Sequence, residues 1–104
     1  SKVNFTIAVD PETNVDTLAE VINKVGDKLA EDEEWKDKIL EAPHFLNIGT
    51  FTDTMLEVMI VGKTQPSAQW GVTGELRRRL LRAFKKHEIE LAQYPLAPWA
   101  QQKK

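Results

Sequence analysis

The chain has 104 residues, no cysteine and a formal net charge of −2. That length makes one domain with one hydrophobic core, and the lack of thiols excludes disulfide staples, thiolate metal sites and cysteine nucleophiles. A balance so near neutrality argues for neither nucleic acid nor an anionic membrane as a whole-chain partner, and no apolar run approaches the roughly 18 residues that span a bilayer. Hydrophobic residues at 41% and charged residues at 29% suit a soluble globular fold, and no signal-peptide pattern is present.

Val3, Phe5, Ile7 and Val9 alternate with Asn4, Thr6, Ala8 and Asp10, the period of a strand with one apolar face. Asp10-Pro11 stops it, because proline cannot donate to a ladder and restricts the residue before it. Asn14 is a helix N-cap and Asp16 meets the helix dipole in the first turn. Val15, Leu18, Ile22, Val25 and Leu29 then recur at steps of three and four, the stripe of an amphipathic helix reaching about Asp32. Gly26 costs that helix up to about 1 kcal/mol relative to alanine.

Glu33 to Leu40 is expected to hold a second short helix, with Trp35 and Ile39 on one face and Ala42-Pro43 ending it. In "HFLNIGTFTDTMLEVMIVGKT" the alternations of Leu46, Ile48 and Thr50 and of Leu56, Val58 and Ile60 flank Thr52-Asp53, an antiparallel hairpin. Gln65-Pro66-Ser67 is expected to open a second long helix, with Trp70, Thr73, Leu76 or Arg77, Leu80 and Phe84 on its stripe and Leu81 widening it. Ile89 and Leu91 alternate with Glu90 and Ala92 as a last strand, and "AQQKK" reads as a tail.

The order strand, helix, strand, strand, helix, strand is the α+β, ferredoxin-like split βαβ (βαββαβ) arrangement: an antiparallel four-stranded sheet with two helices on one face. Phe5, Ile7, Leu18, Ile22, Leu56, Val58, Ile60, Leu80 and Phe84 are the expected core.

Catalytic and ligand motifs fall short. "VGKT" at Val61–Thr64 resembles the end of a phosphate loop, but that motif needs a glycine where Glu57 stands. His44 and His87 are remote from each other, and neither has a carboxylate at metal-ligand spacing. Glu31–Glu34 reads as a solvated acidic corner, without the glycine-centred pattern of a calcium loop. Arg77, Arg78, Arg79, Arg82, Lys85 and Lys86 make one helix basic. On this fold an RNA reader would stack bases on aromatics of its central strands, and the third strand has none, so a solvated helix face is the better reading.

The other sheet face is more telling. On the third strand Met55, Glu57, Met59 and Val61 oppose Leu56, Val58 and Ile60, and by parity Phe45 and Phe51 share the open face with Asn47 and Gly49. A sheet covered on one side is expected to be polar on the other. Here a partner, or else a loop or the proline-rich C-terminal stretch of the chain itself, is expected to cover it.

"FTIAVDPETNVDTLAEVI", "TMLEVMIVGKT" and "AQWGVTGELRRRLLRAFKKHEIEL", in that order and at those spacings, resemble the C-terminal cytoplasmic domain of the small-conductance mechanosensitive (MscS-like) channel family. The resemblance runs from about Val3 to Pro95. The chain departs from the family pattern at Glu88, where a glycine usually precedes the final "IEI", and at "AQYP", where the family continues "PFPQ" toward a small barrel joining the subunits.

The resemblance implies a non-catalytic assembly domain without cofactor or metal, spanning residues 1–96 with a tail at 97–104. Pore helices and a middle β-domain would precede it in the full protein and carry its only membrane contact. Identical subunits, commonly seven, would form a cage with side openings on the cytoplasmic side of the inner membrane. The channel would release osmolytes under hypo-osmotic shock. Interface roles are then expected for Met55, Glu57, Met59 and Val61 on the open face and for Tyr94 and Leu96 at the C-terminal exit. A stand-alone ferredoxin-like module binding a small molecule would instead give a stable dimer and a ligand-dependent melting shift. An acylphosphatase-type enzyme would need a phosphate-holding arginine where the first loop reads "DPETNVD".

Overall fold

The computed structural model describes residues 1–92. Strand β1 (Lys2–Val9) is followed by helix α1 (Val15–Glu31), strands β2 (Ile39–Phe51) and β3 (Leu56–Thr64), and helix α2 (Gln69–Lys86). The sheet is antiparallel in the order β1-β3-β2, with both helices on one face.

The local chemistry of α1 is as the sequence implies. The Asn14 side chain accepts a hydrogen bond from the Thr17 N–H at 3.0 Å, satisfying one donor that the helix leaves open. Leu18, Val21, Ile22 and Leu29 are buried. They meet Leu56, Val58 and Ile60 of β3 and the α2 stripe of Val72, Leu76, Leu80 and Phe84 in one core. Of the expected core residues, Phe5 and Ile7 are only half-buried. They lie across from Ile60 and Val58 but near an open margin, where the Arg77 guanidinium lies 5.1 Å from the Phe5 ring centre.

Several expectations are corrected. No α-helix forms over Glu33–Leu40; one 3-10 turn covers Lys36–Lys38 and β2 begins at Ile39. An eight-residue helix is marginal on its own, and here Ile39 pairs with Thr64 instead. Pro43, expected to end that helix, lies inside β2 instead, tolerated there because β2 is an edge strand and Pro43 falls where the register shifts between Glu41 and His44.

The second helix starts later than expected. Gln65–Ala68 closes a turn, Ala68 N–H to Gln65 carbonyl at 3.1 Å, with Ser67 at φ 73°. The buried stripe runs through Val72 rather than Trp70, which is 80% exposed, and Leu81 is exposed too.

Among the described residues the sheet has three strands, not four. In place of a last strand there is one bridge, Val9 to Leu91, on the outer edge of β1. It is made by Asp10 N–H to the Glu90 carbonyl at 2.9 Å and Ala92 N–H to the Ala8 carbonyl at 3.0 Å. Ile89, expected to open that strand, instead gives its N–H to the Phe84 carbonyl at 2.8 Å. With Glu88 N–H on the Lys85 carbonyl at 3.3 Å, this forms a Schellman cap on α2. The boundary expected after residue 96, and Tyr94 and Leu96 themselves, lie outside the described residues.

Candidate functional site

The face of the sheet turned away from the helices is built on β3. Glu57, Met59 and Val61 alternate with the buried Leu56, Val58 and Ile60, so the period of two puts them on the uncovered side. All three, and Met55 just before the strand, are half-buried. Register supplies their neighbours. Met59 lies between Thr6 of β1 and Asn47 of β2, Val61 between Asn4 and His44, and Glu57 beside Ala8. The face is therefore one narrow apolar stripe, Met59 and Val61, between polar rows. His44 turns its Nδ1 to the Ala42 carbonyl at 3.0 Å and lies 3.9 Å from Glu41.

Parity misplaces the aromatics of β2. Phe45 pairs with Ile60 and Phe51 with Leu56, on the helix side, and Phe45 packs against the core. The cause is four register irregularities along β2, each inserting a residue that β3 does not match. Each such bulge reverses the parity downstream of it. The open face is consequently more polar than alternation implies.

The same irregular strand carries an exposed apolar group: Leu46 and Ile48, which alternation set opposite the open face, and Phe51, which it set on that face. Leu46, Ile48 and Phe51 are 50%, 44% and 66% exposed. Thirteen residues of β2 extend about 43 Å, whereas the seventeen residues of α1 cover about 25 Å. The hairpin thus runs past the helix meant to cover it.

At the opposite end, α1 is tied to α2. Arg79 donates to Asp32 at 2.8 Å and to Glu75 at 2.9 Å. The Arg79 hydrogen bond, with the Glu34 N–H on the other carboxylate oxygen, holds Asp32 below the usual carboxylate range. The two carboxylates raise the Arg79 guanidinium above its ordinary value. This accounts for one of the six basic residues as structural. Among the described residues no cluster of three or more histidine, aspartate or glutamate side chains could hold a metal ion, and no helix is long and apolar enough to cross a membrane. The "VGKT" segment is the end of β3, with Gly62 and Thr64 buried and the Thr64 hydroxyl donating to the Gln65 carbonyl at 3.0 Å.

Comparison with known proteins gives a consistent result. The family model described as "Mechanosensitive ion channel MscS, C-terminal" matches residues 3–91. The small-conductance mechanosensitive channel of Caldanaerobacter subterraneus subsp. tengcongensis is 28% identical over 93 residues, covering 89% of this chain and 31% of that protein. Among solved structures, closed-state MscS of Helicobacter pylori superposes with a TM-score of 0.71 at 18% identity, over 93% of this chain and 37% of the other. MSL1 of Arabidopsis thaliana gives 0.62 at 16% identity, over 89% and 34%. The chain spans about a third of the length of each of these relatives.

Proposed function

The chain belongs to the family of mechanosensitive ion channel MscS C-terminal domains, and from that premise we propose that it is the assembly domain of a tension-gated channel subunit. The family is one of ion channels rather than enzymes, so no side chain is assigned a catalytic role. In this reading identical subunits, seven in the complete ring, place the domain on the cytoplasmic side of the inner membrane. There it forms part of the wall of a vestibule through which osmolytes leave when hypo-osmotic shock opens the pore. Segments outside residues 1–104 supply the membrane-spanning part.

The observation that carries the reading is the family match over residues 3–91. Two surface features support a role among neighbours: the apolar stripe of Met59 and Val61 on the open sheet face, and the uncovered hairpin end at Leu46, Ile48 and Phe51. We assign Met55, Glu57, Met59 and Val61 to subunit contact, with Tyr94 and Leu96 as further contacts at the C-terminal exit. The experiment starts with the coding sequence upstream of Ser1, where several apolar segments of about 20 residues are expected. Cells lacking the gene should then survive osmotic downshock poorly and recover when the whole gene is restored. A start codon at Ser1, or full survival without the gene in cells with no other such channel, sinks the channel reading.

A further inference from the structure

The cleft between α1 and α2 lies on the helix side of the molecule, away from the sheet face assigned to assembly, and the assembly role makes no use of it. Its floor is apolar: Val21, Val25 and Ala83. Its walls are cationic. Lys24 and Lys28 rise from α1, and Arg82 and Lys86 from α2; all four are exposed.

None of these four takes part in an ion pair among the described residues. The cations that do are Lys36, Arg78 and Arg79, with His44 near Glu41. Lys24 and Lys28 stand four apart on their helix, as do Arg82 and Lys86 on theirs, and like charges at that spacing repel. Glu20, at one end, is the one carboxylate lining the cleft. Asp32 and Glu75 are already held by Arg79. A chain of net charge −2 thus gathers four positive charges, none held in an ion pair and with Glu20 the one carboxylate lining the cleft, around an apolar trough.

We propose that this cleft docks an acidic polypeptide segment in which carboxylates are interleaved with apolar side chains. The carboxylates would pair with the two cationic walls and the apolar side chains would cover Val21, Val25 and Ala83. Three features select this occupant. The floor is recessed between the helices, so a flat bilayer would touch only the rims. Among the described residues His87 is the one ring lining the cleft, so a single-stranded nucleic acid would find no row of aromatic side chains on which to stack successive bases. A purely polar polyanion would leave the apolar floor uncovered. Because the cleft and the sheet face are on opposite sides, docking does not depend on the channel reading, and either can fail without the other.

The test uses the whole 104-residue chain and a short fluorescein-labelled peptide of glutamate and leucine, followed by anisotropy at rising salt. Binding is expected, weakening steeply as salt screens the walls. The double variant Lys28→Glu/Lys86→Glu should bind about tenfold or more weakly, while Lys28→Arg/Lys86→Arg keeps the affinity. Should the charge reversal disturb folding, Lys28→Gln/Lys86→Gln takes its place, with the melting curve as control. Equal affinity in the charge-altered variant overturns the proposal. So does equally tight binding of polyglutamate without leucine, of phosphatidylglycerol vesicles, or of single-stranded DNA.

Discussion

The carbonyl of Pro43 in β2 lies directly against the Cα of Gly26 in α1, nearer than any side chain at position 26 would permit. The other side of Pro43 faces Gly62 of β3, where an added Cβ would lie 3.0 Å from the Pro43 Cα. An edge strand with proline in it is thereby clamped between a helix and the central strand. The same region is held by the Asn23 side chain, which accepts the Phe45 N–H at 2.8 Å.

Gly26→Ala is therefore expected to destabilise the domain by about 1–3 kcal/mol through overpacking. Helix propensity alone predicts the reverse, a gain of up to about 1 kcal/mol. Urea unfolding of the two proteins decides the sign, and a more stable alanine variant would mean that α1 and β2 are not in this contact.

Glu88 offers the opposite case. It occupies the position after the α2 cap with φ 57°, in the left-handed region where a Cβ is unfavourable. Glu88→Gly should raise stability by about 1 kcal/mol, seen as a higher denaturation midpoint with an unchanged slope. The glycine usual at this place in the resembling family has the same physical explanation.

Ile60 and Met59 are neighbours on opposite faces of β3, and aspartate at each should have different consequences. Ile60 is fully buried, so Ile60→Asp buries an unpaired charge and should leave the chain unfolded by circular dichroism. Met59→Asp should keep the fold and reduce association of subunits in the full-length protein, measured by sedimentation. An unfolded Met59→Asp chain would show that the open face is part of the core.

Acid should act through Asp32. Its carboxylate is held below its usual range, first by Arg79, so the folded form binds that proton less readily than the unfolded form. Its contribution is fully present above the unfolded value of about 4 and is lost as the pH falls through the folded value. Asp32→Asn keeps the oxygen that accepts the Glu34 N–H and removes the charge facing Arg79. The variant should be less stable than the parent at pH 7, with the difference closing below about pH 4. A gap constant with pH would mean that the pair contributes through shape rather than charge.

Ile48→Thr and Phe51→Ser change exposed positions on the hairpin end and should shift stability by no more than about 0.5 kcal/mol. A loss of association in the full-length protein without a change in melting would make this end a subunit contact.

The sequence by itself determined the helix and strand sides of the core, because Leu18, Ile22, Leu56, Val58, Ile60, Leu80 and Phe84 repeat at the periods their elements require. It also determined the N-cap at Asn14, the central place of β3 and, through the order of its motifs, the family. Tertiary structure decided the rest. Alternation cannot count bulges, so the faces of Phe45 and Phe51 depended on how thirteen residues of β2 were fitted to nine of β3. Propensity sees Gly26 and Pro43 only as breakers, and their use as a notch and its filler exists only once α1 lies on β2. Among the described residues the last strand is one bridge, and the Ile89 N–H is bonded within the α2 cap rather than to β1. In each case a local pattern fixed which residues were apolar, and a contact between distant segments fixed where they faced.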